Sequence, residues 1–218
     1  MDEDLYIKNE KKSIAVIVAH PDDETLWCGG TILQHPECKW FIACLCRKYD
    51  PDRAPKFKKA LKTFKAKGAM GNLDDGPEQT PLDKKEVEKA ILALLPKQHF
   101  DLILTHSPYG EYTRHLRHEE IGLAVIELWN DKKITSKELW IFAFEDGNKT
   151  YYPKAIKGVS IYQKLPKNIW EEKYRIITEV YGFEKTGFEA KTTPKTEAFW
   201  EFKSPIEARK WIKQRSIN

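Results

Sequence analysis

The sequence lacks any long hydrophobic run, and no stretch approaches the roughly 20 apolar residues that a transmembrane helix needs. Its first twelve residues contain no apolar signal core. An excess of one charge is also absent, because 37 basic residues face 33 acidic residues and leave a net charge of +4. This mixed surface lacks the concentrated positive field typical of nucleic-acid binding. We therefore expect a cytoplasmic protein with no membrane span and no nucleic-acid partner.

Cysteine is scarce, and its spacing excludes two common roles. Cys28, Cys38, Cys44 and Cys46 match neither a paired C-x-x-C zinc site nor a distributed disulfide framework. We expect reduced thiols, with Cys44 and Cys46 on one face of a strand as small core residues.

Glycine-rich phosphate motifs are missing too. Without a G-x-G-x-x-G or G-K-[S/T] sequence after a strand, dinucleotide binding loses its main support.

What the chain does contain is an alternation of buried strand patterns and helix patterns. Apolar runs at 14–18, 40–46, 101–105 and 138–145 are separated by amphipathic segments. This alternation predicts an α/β fold with a doubly wound, mostly parallel Rossmann-like sheet and helices on both faces. The pattern changes after residue 145. We expect one domain over 1–218, with a core of about 12–145 and a C-terminal edge addition of about 146–218.

Connections and helices are predicted between these strands. A loop at 50–55, punctuated by prolines, should face the site and precede a helix at 56–67 whose apolar stripe starts at Phe57. The segment 68–81 reads as an irregular connection with a short strand. Further helices are expected at 83–95, at 168–181 and at 205–214. Another helix should follow His118 and run to about residue 130.

The run 14–18 ends in a turn rich in potential metal ligands, with the sequence HPDDE. Proline keeps the backbone extended at the carboxyl end of the strand, where open α/β sheets hold their ligands. The imidazole of His20 and the carboxylate of Asp23 can bind one divalent ion, while Asp22 faces a water molecule. Hydrolytic zinc sites usually have three protein ligands and one open position. A third ligand must therefore come from elsewhere in the chain.

Two histidines after the run 101–105 are candidates for that third ligand. His115 and His118 form an H-x-x-H pattern just before a helix. If the strands 14–18 and 101–105 are neighbours, both motifs open into one crevice at the switch point of the sheet. His106 is close enough to support the site from behind. Arg53 and Arg114 are near the site loops and could hold a hydroxyl or phosphate group.

HPDDE, the segments CGGT and DLILTHSP, and H-x-x-H together resemble the PIG-L/LmbE-like family of zinc-dependent N-deacetylases. The likeness covers residues of about 12–145. It implies that His20, Asp23 and His118 bind zinc, that Asp22 is the general base, and that His115 is the oxyanion or acid group. Asp22 would take a proton from the attacking water, and protonated His115 would stabilise the oxyanion.

The resemblance also implies a substrate: a small-molecule glycoconjugate, of the N-acetylglucosaminyl type, that loses acetate. Two departures concern this substrate. The second motif reads HLRH without the acidic residue that many members carry, and Arg53 is followed by Lys56 where members often have R-x-x-E. We keep Arg53 as a candidate substrate-binding residue. Fe(II) and Co(II) also suit these ligands, and the sequence leaves a homo-oligomer open. Alternatives are a metal-dependent hydrolase of another amide or ester and a non-catalytic sugar-binding protein that keeps the metal fold.

Overall fold

The architecture was obtained as a computed structural model, which describes residues 11–215. The expectation about a signal sequence falls mainly on residues 1–10, outside the described residues. The strands are β1 (Ser13–Val18), β2 (Lys39–Cys46), β3 (Lys67–Leu73), β4 (His99–Thr105), β5 (Thr135–Phe142), β6 (Phe144–Glu145), β7 (Lys154–Ala155), β8 (Ile161–Lys164) and β9 (Thr196–Phe202). The α-helices are α1 (Asp23–Gln34), α2 (Arg53–Thr63), α3 (Lys84–Leu94), α4 (Leu116–Asn130), α5 (Lys167–Arg175), α6 (Phe188–Thr192) and α7 (Pro205–Arg215). A π-helical turn, Ile176–Val180, extends α5.

Seven strands form one sheet in the order β3-β2-β1-β4-β5-β9-β8. The first five are parallel, whereas β9 and β8 add to the β5 edge in antiparallel pairs. This confirms the doubly wound, mostly parallel α/β sheet with an edge addition. Strand order reverses between β1 and β4, which are hydrogen-bonded neighbours. The carboxyl ends of these two strands therefore open into one crevice.

Helices cover both faces of the sheet, and this explains the continuous apolar run of β1. Val16 packs in one core layer with Trp27 of α1 and Phe57 of α2. Ile17 points the other way and packs with Val125 of α4. Both residues of β1 are fully buried. The HPDDE turn therefore follows a strand that is packed on both faces.

All four cysteines are free and buried, as expected, but one placement was wrong. Cys44 packs in the core layer of α1, whereas Cys46 packs in the opposite layer. The pairing of β2 with β3 changes register between these residues. A β-bulge shifts the side-chain alternation by one residue, so the two sulfurs do not share a face.

The helix expected at 56–67 begins earlier, at Arg53. Pro55 lies in its first turn, where the missing amide hydrogen costs no helical hydrogen bond. Part of the expected loop is therefore helix. The apolar stripe is as predicted, with Phe57, Ala60 and Phe64 buried.

The C-terminal addition is tied to α1 through Glu197 of β9. Its buried carboxylate accepts hydrogen bonds from the amides of Gly30, at 2.7 Å, and Thr31, at 2.8 Å, and from the Thr31 hydroxyl, at 2.6 Å. Lys173 Nζ of α5 lies 2.6 Å from the same carboxylate, and both side chains are fully buried.

The division into one core and one extension of a single domain stays a prediction. Within 11–215, every helix is too short or too polar to span a membrane.

Candidate active site

The HPDDE turn joins β1 to α1 with an unusual backbone conformation at Asp22. This residue is the N-cap of α1 and has φ 124° and ψ −27°, a positive φ that is rare outside glycine. Its carbonyl oxygen accepts the first hydrogen bonds of the helix, from the amides of Thr25 and Leu26. Strained backbone of this kind concentrates at functional sites. The turn sets the neighbouring carboxylates of Asp22 and Asp23 in different directions.

Three donor atoms converge above the ends of β1 and β4. His20 Nδ1 lies 3.2 Å from Asp23 Oδ2 and 3.3 Å from His118 Nε2, and Asp23 Oδ2 lies 3.4 Å from His118 Nε2. Zinc with ligand distances of about 2.0–2.1 Å in tetrahedral geometry places neighbouring ligand atoms about 3.3–3.4 Å apart. The triangle therefore has the dimensions of three corners of a zinc tetrahedron, and these residues fit such an ion.

The two candidate histidines occupy different positions. His118 lies in the first turn of α4 and is fully buried, and its Nε2 completes the triangle. His115 is the N-cap of α4, and its ring stacks on His118 with centroids 4.4 Å apart. His115 Nδ1 is buried and has no hydrogen-bond partner within the described residues 11–215. His20, His115 and His118 form one group that could hold a metal ion, and Asp23, His106 and His118 form a second. His118 belongs to both groups, and the choice of the third ligand stays a prediction.

Glu111, which the sequence analysis did not identify, orients His118 from behind. His118 Nδ1 donates to Glu111 Oε2 at 2.6 Å, and His106 Nδ1 contacts the same oxygen at 3.0 Å. The other oxygen accepts the amide hydrogen of Ser107 at 2.8 Å. Holding one imidazole nitrogen with a carboxylate directs the other nitrogen to a metal and raises its basicity. His106 Nε2 lies 3.3 Å from Asp23 Oδ2 and accepts the amide hydrogen of Ala19 at 3.0 Å, so the backbone already occupies this nitrogen.

Asp75 is a second residue that the sequence analysis missed. Its Oδ1 lies 3.0 Å from His20 Nε2, the nitrogen that faces away from the triangle. Its Oδ2 accepts hydrogen bonds from the Arg47 guanidinium, at 2.7 Å for Nη2. The loop that carries Asp75 is held by fully buried Arg117, which donates to the carbonyl oxygens of Asp74 and Thr80. Arg117, the arginine inside HLRH, therefore holds the loop that places Asp75 next to His20.

The two proposed catalytic groups have shifted acidities. Burial raises the pKa of Asp22 well above its usual range, and the charge of Asp23 adds to this effect. Burial and then the neighbouring His118 and His20 lower the pKa of His115 to about 3. His115 is consequently neutral near pH 7. A protonated His115 was expected from the sequence, and the lowered pKa differs from that expectation because the ring is buried and has two further imidazoles beside it.

A cavity of about 160 Å³ opens onto these groups. Its walls include Asp22, His115, Tyr112, Arg53 and Phe188. Arg53 Nη1 lies 3.6 Å from Asp22 Oδ2, and its guanidinium stacks over the Phe183 ring. Arg53 is therefore in position to contact a bound molecule. Arg114 instead pairs with Glu119 outside this cavity.

Known proteins resemble this chain in sequence family and in fold. A family model described as GlcNAc-PI de-N-acetylase (PIG-L) matches residues 15–129. No curated protein sequence matches the chain. Solved structures are also similar to this chain, at 14% to 18% identity for three of them, and at such identities the likeness concerns the fold alone.

The first of these structures is N,N'-diacetylchitobiose deacetylase from Pyrococcus horikoshii with its inhibitor MPG, at 18% identity and a TM-score of 0.65. The alignment covers 88% of this chain and 84% of that one. The deacetylase of the antimicrobial A40926 pseudoaglycone has 14% identity and a TM-score of 0.59, with 89% and 99% covered. A zinc-inhibited form of teicoplanin deacetylase has 14% identity and a TM-score of 0.55, with 78% and 84% covered. Because the family match spans more than half of the 218 residues, including HPDDE and H-x-x-H, the chain belongs to the PIG-L family.

Proposed function

We propose that the protein is a zinc-dependent hydrolase that removes the acetyl group from an N-acetylated sugar or glycoconjugate of the N-acetylglucosaminyl type. The products are acetate and the free amine. The observation that carries this proposal is the triangle of His20 Nδ1, Asp23 Oδ2 and His118 Nε2, with edges of 3.2 to 3.4 Å, beside Asp22. The family description names a de-N-acetylase of GlcNAc-PI, and the similar structures include N,N'-diacetylchitobiose deacetylase and teicoplanin deacetylase.

His20, Asp23 and His118 would hold the zinc ion, and Fe(II) or Co(II) would suit the same donor set. A bound divalent ion supplies Lewis acidity to a water molecule and to the amide carbonyl. The protein's own contribution is to fix the ligands. Glu111 holds the outward nitrogen of His118 by a hydrogen bond at 2.6 Å, which fixes that ring for an ion. Asp75 Oδ1 lies 3.0 Å from the outward nitrogen of His20 as an ion-pair contact without hydrogen-bond geometry.

Asp22 is assigned as the general base. Its carboxylate lines the cavity beside Asp23 but lies outside the triangle of donor atoms. Burial and the charge of Asp23 make this carboxylate more basic than usual, which suits a group that accepts a proton from the attacking water. The proton is then available for the departing amine. Arg53 lies close enough to Asp22 to limit the rise in basicity and to contact a substrate hydroxyl.

His115 is assigned to the oxyanion that forms at the former carbonyl carbon. Its imidazole is neutral because its pKa is lowered to about 3. A neutral imidazole still carries one N–H group, and that group can donate to the developing negative charge. His115 Nδ1 has no partner within 11–215, so a bound substrate would satisfy a buried polar atom.

One experiment tests the proposal directly: metal analysis of the purified protein, combined with an acetate-release screen over N-acetylglucosamine conjugates. The expected result is about one divalent ion per chain and acetate release that stops after chelation. Release of other acyl groups in preference to acetate would identify the alternative amide or ester hydrolase. Sugar binding without any acyl release would identify the non-catalytic alternative. Cytoplasmic location and the oligomeric state stay predictions.

A further inference from the structure

A larger groove adjoins the catalytic cavity. It has a volume of about 800 Å³ and is lined by Tyr112, Phe188, Tyr151, Tyr152, Lys149 and Lys154, among others. Tyr112 and Phe188 also line the catalytic cavity, so the two spaces share a wall. Pockets for small molecules usually measure about 300–1,000 Å³. The catalytic cavity alone is smaller than this range, and the groove supplies the missing space.

Aromatic rings lead from the candidate metal site into the groove. The Tyr112 ring lies edge-on to His118 at 5.5 Å and to Phe188 at 5.4 Å, and Phe188 lies 6.0 Å from Tyr152. The Tyr152 and Phe188 side chains are 44% and 40% exposed, and Lys191 Nζ lies 5.7 Å from the centre of the Tyr152 ring. Exposed ring faces are suited to the apolar C–H face of a sugar ring.

Polar groups are interspersed among these rings. Thr113 and Thr150 each donate one hydrogen bond, to Asp146 and to the Gly147 carbonyl, and their hydroxyl oxygens keep acceptor capacity. Lys149 and Lys154 add ammonium donors at the wall. An alkyl chain in the groove would cover these groups without forming hydrogen bonds, at a cost. A sugar ring offers hydroxyl groups to them and a C–H face to the aromatics.

We propose that this groove is a subsite for a second sugar ring, linked to the N-acetylated ring in the catalytic cavity, so that the preferred substrate is at least a disaccharide. The inference rests on the proposed function only for the identity of the first ring. Tyr151, Tyr152 and Phe188 lie outside the family-matched residues 15–129. Most of the groove wall therefore comes from this chain's C-terminal addition, while Tyr112 and Thr113 come from the family-matched segment.

Binding, measured without turnover, tests the subsite. Calorimetry on metal-loaded Asp22→Asn protein compares N-acetylglucosamine with N,N'-diacetylchitobiose. We expect the disaccharide to bind at least about 10-fold more tightly, the scale of one well-placed ring contact. Tyr152→Ala should reduce that preference to about 3-fold or less, with monosaccharide affinity unchanged, because Tyr152 does not line the catalytic cavity. Tyr162→Ala, which removes a similarly exposed ring on β8, should leave the preference intact.

Three outcomes would overturn the subsite: equal affinity for both sugars, no measurable disaccharide binding, or a preference that survives Tyr152→Ala. A further arm uses octyl N-acetylglucosaminide. If this glycoside binds more tightly than the disaccharide and loses affinity in Tyr152→Ala, the groove holds an alkyl chain and the second-sugar assignment is wrong. Failure of the proposed function is distinguishable, because it appears as absent acetate release by the unsubstituted protein whatever the binding ratio.

Discussion

Glu111 Oε2 accepts the Nδ1 hydrogen of His118 at 2.6 Å, and both side chains are fully buried. The contact fixes which nitrogen of His118 faces His20 Nδ1 and Asp23 Oδ2. We expect Glu111→Gln to keep the fold, because the two side chains have nearly the same shape. Metal affinity should fall by about 10- to 100-fold, the usual effect of losing such a carboxylate. Competition with a chromophoric chelator measures this affinity, and Glu86→Gln on the exposed face of α3 is the control. Unchanged affinity would contradict the orienting role.

Three single variants, His20→Ala, Asp23→Ala and His118→Ala, should each lose stoichiometric metal binding. Each change removes one of three donor atoms that lie within 3.4 Å of one another. Elemental analysis after gel filtration should find about one divalent ion per chain in the unsubstituted protein and far less in the variants. His99→Ala, at an exposed position at the start of β4, should retain the ion. Retention of the ion by all three variants would disprove the ligand set.

Asp22→Asn should separate metal binding from turnover. Asparagine is nearly isosteric but cannot accept the proton of the attacking water, so kcat should fall by about 10²- to 10⁴-fold. The metal should remain, because Asp22 is outside the donor triangle. Asp52→Asn, at an exposed carboxylate at the start of α2, should retain full activity. Loss of metal in Asp22→Asn would instead make Asp22 a ligand.

His115 should remain neutral across the neutral pH range, since its pKa is lowered to about 3 by burial, His118 and His20. In NMR titrations its ring signals, identified by their loss in His115→Gln, should not move between pH 5 and 8. Below about pH 6.5 the unfolded chain binds a proton here that the folded protein does not. The His115 contribution to the free energy of unfolding should therefore decrease as the pH falls from 6.5 towards 3. His115→Gln should lack that part of the acid sensitivity.

Lys173→Met should destabilise the fold strongly. Lys173 and Glu197 form a fully buried ion pair, and removing the ammonium leaves the carboxylate without its counter-charge. We expect a loss of about 3–5 kcal/mol in the free energy of unfolding, measured by urea denaturation. Lys167→Met on the same helix removes an exposed ammonium and should cost less than about 0.5 kcal/mol. Adding Glu197→Gln to Lys173→Met should recover part of the loss.

The parts of this structure that follow from local patterns were predictable from the sequence. Continuous apolar runs located the central strands, because parallel strands are covered on both faces. HPDDE and H-x-x-H located the donor atoms at two strand ends, and the sheet order brought those ends together. Local patterns failed at Arg53, where a proline inside the first helical turn resembled a loop signal, and at Cys46, where a bulge reversed the alternation.

Residues that act through distant contacts were not predictable. Asp75 reaches His20 from the loop between β3 and α3, which Arg117 holds against α4 while Arg47 contacts the Asp75 carboxylate. Glu111 lies in an irregular segment, where no periodicity indicates the direction of a side chain. Each is a single carboxylate among 33 acidic residues. Their roles depend on tertiary contacts that a single sequence does not encode in any local pattern.

The carboxylate of Glu197, bonded to the amides of Gly30 and Thr31, bears on how this protein can be divided or recombined. The helix that begins with Asp23 completes part of its hydrogen bonding with a strand far beyond the family-matched segment 15–129. A fragment that stops before β9 would lose the carboxylate that accepts from those amides and the antiparallel neighbour of β5. Chimeras that exchange the C-terminal addition to alter substrate choice should therefore retain β9 with its glutamate, and place the junctions in the segment that forms the aromatic groove.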